Sequence, residues 1–460
     1  MLKKICGLIL FIMLTSSQNL KATGYSIYEL GARAAALAGA FVARADDTSA
    51  IYFNPAGIAF LDGLRIKTNV QFSPMKTTAF SPGTDFVFTS APLQIQGLHY
   101  VTWSPFNKLT FGFGMFSPYS TETEWGSGWP GNSFSITSRL ISNYYRPSVA
   151  IELTEGLALG FGIDFVFSRI EWSRNIEFPA EKFIQTSNRY FAESRPKAEG
   201  RGLGFVAGIL WKISKRLQIG GRYQHQVVID AKGENTFHDA FLGGSSVFIL
   251  GPDNRTIEIH KLMDRYYEYQ HVSIQLLYPT EIVLGLMYVP VDRLTLLLDF
   301  HWSEWSKAKN WEFISDKSGA DMSPEFMEDF GNFFGVIPDY DKQSAEMKWK
   351  DTWKIKFGVE YALSPVFALR AGYAFNQSAM DGKVIHPVNP DLDQNIISFG
   401  LGYEGPLLSL WDDKKMCDFT FDFFVQYMFS KTLTSSFPGF GFSYDTDRFA
   451  VGIGIGFDFE

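Results

Sequence analysis

Apolar and polar residues alternate along most of this chain. In the last such run, residues 449–459, large apolar side chains stand at every odd position and small or polar ones at every even position. A pleated strand points successive side chains to opposite faces, so each run has one apolar face. Charged residues recur on the other face, which a single dry core would not tolerate. The pattern favours a closed all-β membrane barrel with lipid outside and a polar lumen.

Runs of this kind, bounded by turn residues, predict about fourteen strands. They lie near 64–74, 91–103, 109–117, 139–152, 157–170, 201–213, 217–230, 272–289, 293–306, 348–362, 366–376, 394–403, 417–430 and 446–459. Tight turns between them alternate with long connections near 171–200, 231–271 and 307–347. Short periplasmic turns and long external loops produce this alternation. A soluble β-propeller would show blade-sized repeats, which the sequence lacks.

The parity within strands predicts which side chains face the lumen. In residues 293–303, Leu298 and Phe300 share one face, while Asp299 and His301 share the other. The lumen is therefore expected to be polar and ionisable. Because about fourteen strands enclose more space than their inward side chains fill, the barrel should be a wet pore or be plugged.

The N-terminus predicts export. Lys3 and Lys4 precede a short apolar run, and Lys21-Ala22 precede Thr23, which is typical of a signal peptide spanning residues 1–22. Cys417 is then the one remaining cysteine, so no internal disulfide is expected. The net charge of −8 argues against nucleic acid as a partner. No cofactor is expected.

Residues 23–62 do not alternate, and we interpret them as an N-terminal plug ahead of the barrel at 63–460. A Gly/Ala-rich run at 31–40 has helical propensity and side chains small enough for close packing. Asn54 can cap a helical turn that begins at Pro55.

Several stretches together resemble the outer-membrane long-chain fatty acid transporter (FadL-type) family, which includes hydrocarbon and aromatic uptake channels. They are Thr23-Gly24-Tyr25, Ala45-Asp46-Asp47, Asn54-Pro55-Ala56, Trp129 to Phe134, Gly160 to Arg169, Trp349-Lys350-Asp351 and Arg370 to Phe375. The resemblance implies a fourteen-stranded barrel with an N-terminal hatch. It also implies passive uptake of a fatty acid or another hydrophobic small molecule, and no enzymatic activity.

The resemblance further implies a ligand path. Capture would occur between the external loops 171–200 and 231–271, through the aromatic side chains Phe178, Phe183, Phe191, Phe237, Phe241 and Phe248. The alternative is that these side chains only pack the loops on each other. Exit would be sideways, through a gap where Pro118 interrupts the third strand. An ordinary strand end at Phe116 is the other reading of that proline.

The same resemblance implies site residues. Lys350 and Arg169 would meet the ligand head group; parity predicts that Lys350 faces the lumen and Arg169 the outside. Tyr25 and Phe53 would line the pocket. The hatch residues would be Asp46, Asp47, Asn54, Pro55 and Ala56. Both aspartates are expected to pair with wall residues such as Arg222 or Arg370.

Two other functions compete with uptake. An outer-membrane lipid hydrolase would need a nucleophile paired with a base, and the seven histidines show no recognisable pairing. An aqueous porin would have no use for a plug. We therefore expect a monomer in the outer membrane of a Gram-negative-type bacterium, in contact with lipid and lipopolysaccharide.

Overall fold

The computed structural model describes residues 30–80, 86–177, 190–238, 248–250, 256–258, 270–308, 310–316, 342–345, 347–380, 385–408, 415–435 and 441–459. The predicted signal peptide and Tyr25 lie outside these residues. The described chain forms a closed barrel of 14 antiparallel strands, as the alternation predicts. The first and last strands close it, with pairing that runs from Leu64 opposite Phe459 to Phe80 opposite Ser443.

The fourteen wall strands are numbered here in chain order, and three of them are interrupted. They are β1 Gly63–Phe80, β2 Leu93–Phe106, β3 Leu109–Phe116 with Ser120–Glu124, β4 Thr137–Thr154, β5 Leu157–Glu177, β6 Tyr190–Ser214, β7 Leu217–Gln224 with Val227–His238, β8 His271–Tyr278 with Glu281–Val291, β9 Leu294–Ser303, β10 Thr352–Ala362, β11 Phe367–Asn376, β12 Gln394–Leu408, β13 Lys415–Ser430 and β14 Ser443–Phe459.

Shorter elements accompany the wall. Two α-helices, α1 Ala32–Ala36 and α2 Ala50–Phe53, precede β1 together with the 3-10 helix Pro55–Phe60. A second 3-10 helix spans Trp305–Lys307, and short strands cover Val87–Ser90, Phe248–Leu250, Thr256–Glu258, Trp311–Asp316, Lys342–Ala345 and Leu433–Thr434. Within the described ranges, no helix has both the length and the apolar character needed to cross a membrane.

The two faces of the wall are those that parity predicts. On β9, Leu298 and Phe300 are exposed, while Asp299 and His301 are buried on the inner side. On β5, the exposed series Phe161, Ile163, Phe165 and Phe167 alternates with buried inner residues. The apolar band therefore faces outward and the polar set faces the lumen.

The third strand breaks at Pro118 but does not end there. Its first segment pairs with β4 as far as Phe116 opposite Tyr144, and its second resumes on β4 at Ser120 opposite Ile141. The reading of Phe116 as an ordinary strand end is therefore wrong. Proline has no N–H to donate and locally disrupts the ladder, which accounts for the break.

Candidate functional site

The N-terminal segment, residues 30–62, lies inside the ring of strands and is held from several sides. The carboxylate of Asp299 on β9 accepts hydrogen bonds from the backbone N–H groups of Phe41 at 2.8 Å and Val42 at 3.0 Å. Asn69 on β1 accepts one from Ala32 at 3.0 Å. Each bond gives a buried backbone N–H a partner that no helix of the segment supplies.

Asn54 has the capping role that the sequence predicts. Its side-chain oxygen accepts from the N–H of Ala56 at 3.2 Å, and Pro55 begins the 3-10 helix. Its amide also donates to the carbonyl oxygens of Val42 and Ile209, at 3.0 and 2.9 Å. One side chain thus caps the helix and ties it both to the rest of the segment and to β6.

Glycines in the wall let this helix approach the strands closely. A Cβ atom on Gly160 would stand 2.2 Å from the backbone of Pro55, and one on Gly208 would stand 2.2 Å from Asn54 Oδ1. Neither distance leaves room for a side chain. The smallest residue at these two inward positions is therefore a requirement for docking the segment against β5 and β6.

Of the two aspartates of the segment, one pairs with the wall as predicted and one does not. Asp47 forms an ion pair with Lys67 on β1, at 2.7 Å, and Asp46 pairs with Arg33 and Arg44 inside the segment. Arg222 and Arg370, the expected partners, are occupied elsewhere. The prediction is wrong for Asp46 and for the two named arginines, because parity gives the face of a wall residue but not its height in the lumen.

The expected partner Arg222 still anchors the segment, through a backbone carbonyl. It donates to the carbonyl oxygen of Tyr52 at 3.0 Å while its other end pairs with Glu281 at 2.6 Å. Arg146 acts similarly from β4, donating to the carbonyl oxygen of Ile51 at 3.0 Å and pairing with Asp164 at 2.6 Å. Arg370 instead bridges Glu360 and Asp422 within the wall.

Above the segment, six aromatic side chains form a continuous row, the aromatic row: Tyr52, Phe116, Tyr144, Tyr119, Trp305 and Trp349. Consecutive ring centroids lie 5.2, 5.9, 6.0, 6.0 and 5.1 Å apart. These spacings are typical of contacting aromatic pairs. Most of these rings are buried, and the row runs unbroken through an apolar core that fills this part of the lumen.

The strand break leaves an opening in the wall beside this row. In the described ladder, β2 and β3 pair from Phe106 opposite Leu109 as far as His99 opposite Met115, and the second segment of β3 pairs with β4. A cavity of about 630 Å³ occupies the gap. Its lining includes the inner residues Phe116 and Tyr144 as well as the outer residue Arg169, so the cavity passes through the wall.

The two predicted head-group residues stand at different places. Arg169 faces outward, as parity predicts, with its side chain 48% exposed beside Glu171 and Glu199. Lys350 is also exposed, because β10 begins only at Thr352. Its expected lumenal orientation is therefore wrong, and the lysines of β10 that do face the lumen are Lys354 and Lys356. Phe53 is buried against Phe41 and Tyr52 within the N-terminal segment.

The predicted capture aromatics are only partly described. Phe178, Phe183 and Phe241 fall outside the described residues. Phe191 belongs to β6, and Phe248 to a short strand. Phe237 is a buried residue of β7 and not part of a loop, because that strand extends to His238.

An external segment, residues 385–393, covers the lumen next to the second part of β3. Trp125 donates to the carbonyl oxygen of Pro387 at 2.9 Å, and Thr121 donates to Asn389 at 3.0 Å. The Asp391 carboxylate accepts from the N–H of Ala379 at 2.8 Å and from Ser378 Oγ at 3.0 Å. These bonds tie the cover to the tops of β3 and β11.

Docking of this cover is expected to depend on pH. Burial raises the pKa of Asp391 from 3.8 to about 6, so the docked form binds a proton that the free form has lost. Protonated Asp391 stabilises the docked form fully below pH 3.8, and this stabilisation is lost as pH rises through about 6. His386 in the same segment opposes this trend, because burial lowers its pKa from 6.5 to about 3. Comparison with Asp391→Asn therefore isolates Asp391: the hydrogen-exchange protection factor of residues 385–393 in the native protein, relative to that of the variant at the same pH, should fall as pH rises through about 6. An unchanged pH profile in the variant would exclude Asp391 as the source.

Comparison with known proteins places this barrel in a family. The model of the family described as outer membrane protein transport protein (OMPP1/FadL/TodX) matches residues 13–460. The chain belongs to this family. Among curated members, the 47 kDa outer membrane protein of Pasteurella multocida is 21% identical over 371 residues, which cover 78% of each chain. The OMPP1/FadL/TodX chain described here is thus an outer-membrane transport protein.

Solved structures share the fold of this OMPP1/FadL/TodX member. A Pseudomonas aeruginosa FadL homologue superposes with a TM-score of 0.76 at 17% identity, covering 95% of this chain and 100% of its own. The toluene transporter TodX of Pseudomonas putida superposes with a TM-score of 0.67 at 15% identity, covering 96% and 100%. At such identities the likeness establishes the barrel architecture and leaves the ligand to be argued from this chain's own residues.

Proposed function

We propose that this protein is a passive channel for hydrophobic small molecules and that long-chain fatty acids are its ligands. The aromatic row is the observation that carries the proposal. It runs from Trp349, near the external end of β10, past the wall opening at Phe116, to Tyr52 in the N-terminal segment. An acyl chain that follows this row would displace packed side chains as it moves, exchange one apolar contact for the next, and never have to enter the polar part of the lumen.

The proposed path begins outside the membrane. The aromatics Phe178, Phe183, Phe191, Phe241 and Phe248 would capture the acyl chain. Lys350 would meet its carboxylate just above Trp349. A carboxylate that loses water needs a charged or hydrogen-bonding partner, and an exposed lysine supplies one at little desolvation cost. Arg169, on the outer rim of the wall opening, would meet the carboxylate of a ligand leaving sideways.

The N-terminal segment would act as the hatch on this path. Tyr52 ends the aromatic row, and its neighbour Phe53 packs beneath it, so a ligand at the end of the row contacts the segment directly. We propose that a shift of this segment admits the ligand to the space beyond. Such a shift would strain or break the ion pair of Asp47 with Lys67 on β1, while the pairs of Asp46 lie within the segment.

Neutral aromatic hydrocarbons are the second candidate ligands. The observation in their favour is the near-parallel stacking of Tyr119 on Tyr278, with ring centroids 4.7 Å apart and an interplanar angle of 8°. A flat ring could replace either partner in that stack. The two candidates are separated by identifying the lipids and hydrocarbons that co-purify with the native barrel by mass spectrometry. Co-purified fatty acids would support the proposal, and hydrocarbons or no ligand would contradict it.

Replacing Lys350 by alanine should separate the two ligand classes further. We expect Lys350→Ala to weaken binding of a long-chain fatty acid roughly tenfold, as for loss of one charge-assisted hydrogen bond, and to leave binding of toluene unchanged. Titration calorimetry with each ligand provides the measurement. Lys307→Ala removes another exposed lysine, one paired with Glu304, and should change neither affinity. Equal losses for both ligands in Lys350→Ala would remove this lysine from the head-group site.

A further inference from the structure

The outer face of β4 to β7 carries a belt of charged side chains directly beyond the apolar band. On β5, the exposed apolar series ends at Phe167 and Arg169 follows on the same face. On β6, Arg201 lies opposite Phe167. It is on the same face as the exposed Leu203 and two residues from it, on the side away from the apolar band. On β7, Lys232 lies opposite Glu199. The belt therefore begins where the wall leaves the hydrocarbon layer.

Most carboxylates of this belt already have a partner. Glu171 and Glu199 face Arg169, and Glu193 pairs with Arg195 at 2.8 Å. Asp230 accepts a hydrogen bond from Gln275 at 3.0 Å. Glu234 lies further from the band, opposite Lys197.

Two exposed cations have no such partner. In the part of the chain that the structure describes, neither Arg201 nor Lys232 forms an ion pair, although both are exposed. The belt's cations and carboxylates balance in number, but Arg201 and Lys232 are not held in ion pairs. An anion bound there would not have to displace an existing ion pair.

The position of Arg201 suits a phosphate group. Its guanidinium lies over the Phe167 ring, 5.3 Å from the centroid. The ring covers one face of the guanidinium plane, and the N–H groups at the edge of that plane stay open to a ligand. Two adjacent N–H groups of a guanidinium have the spacing to donate to two oxygens of one phosphate. Recesses of about 630 and 810 Å³ flank Glu199; Arg169 and Arg201 line the first, and Lys197 and Lys232 line the second.

We propose that Arg201 and Lys232, supported by Arg169, bind a phosphate of an outer-leaflet lipopolysaccharide molecule. The lipid A phosphates of that leaflet lie just above the acyl chains, at the height where the apolar band of this wall ends. The acyl chains of the same molecule would lie against the exposed side chains below, such as Phe165 and Leu203. This lipid site lies on the outer surface beside the wall opening and shares Arg169 with the proposed sideways exit.

The test compares lipids that differ only in phosphate. Native mass spectrometry of the full barrel would be titrated with bisphosphorylated hexa-acyl lipid A and with the same lipid after removal of both phosphates. We expect the wild type to prefer the phosphorylated lipid. Arg201→Gln/Lys232→Gln should weaken its binding by roughly tenfold or more, as for two basic residues at a lipid surface, without changing binding of the dephosphorylated lipid.

A matched double variant controls for the charge change. Lys215→Gln/Arg293→Gln removes the same two charges from exposed residues at the opposite end of the barrel and should keep the phosphate preference. The proposal is overturned if the wild type shows no preference, or if Arg201→Gln/Lys232→Gln retains it. All three proteins should show the heat-dependent gel shift of a folded barrel, so that a loss of binding cannot come from misfolding.

Discussion

A disulfide between Ala32→Cys and Gly454→Cys is expected to stop uptake in the oxidised protein and to permit it after reduction. A Cβ atom on Gly454 would stand 3.2 Å from the Cβ of Ala32, near enough for the bond once the Asn69 side-chain oxygen, 2.4 Å from that Cβ, moves aside. It would fix α1 to β14, and we expect uptake of labelled fatty acid to fall about tenfold or more, as for a blocked gating step. Leu37→Cys/Gly358→Cys, at 3.1 Å, provides a second lock, to β10.

A wall-to-wall disulfide controls for the cross-link itself. Val70 and Ile453 face each other across the β1–β14 seam, and Val70→Cys/Ile453→Cys would join the wall while leaving the N-terminal segment free. All variants should carry Cys417→Ala, because the native cysteine could mispair. If both locks leave uptake at the level of the seam control, the hatch does not need to move and that part of the proposed function fails.

Replacing Arg146 by methionine is expected to destabilise the barrel by about 3–5 kcal/mol, the usual cost of removing one partner of a buried ion pair. Arg146 is 1% exposed, and its removal would leave the fully buried carboxylate of Asp164 without its cation. It would also remove the hydrogen bond to the carbonyl oxygen of Ile51. Urea unfolding in lipid vesicles, followed by tryptophan fluorescence, measures the free energy of unfolding.

Two further variants test that explanation. Arg169→Met removes an exposed arginine, 48% accessible, and should cost about 0–1 kcal/mol. Arg146→Met/Asp164→Leu removes both buried charges and should recover part of the lost stability, because no unpaired carboxylate remains. If Arg146→Met cost no more than Arg169→Met, the buried pair would not be an anchor of the N-terminal segment.

The sequence predicts the wall well where lipid is the outer solvent. There, each outward side chain must be apolar, so period-two alternation reveals both the strand and its faces, as on β5 from Phe161 to Phe167. Beyond the membrane, the same strand continues to Glu177, but its outward residues meet water and become charged. From Glu171 onward the residues then look like a loop. For this reason β5 and β6 are longer than alternation alone predicts.

The interior is less predictable because it depends on height and on long-range contacts. Parity places Lys67 and Arg370 on the inner face but does not say which of them reaches Asp47. Lys350 shows a second limit: parity assumes a strand, and the strand starts two residues later, at Thr352. The aromatic row was missed as well, because its members come from distant segments. Pro118 was the one local signal of the wall opening beside it.

The hydrogen bonds that Asp299 accepts from the N-terminal segment affect the order in which the barrel assembles. The residues it joins, Phe41 and Asp299, are separated by 258 positions in the chain. Other partners of the segment come from β13 and β14, the last strands to be synthesised. Loop closure over such separations is slow, because its entropy cost is not offset by contacts until the distant strands are in place. The part of the barrel that is exported first therefore settles last, and it must be kept from aggregating until the seam has closed.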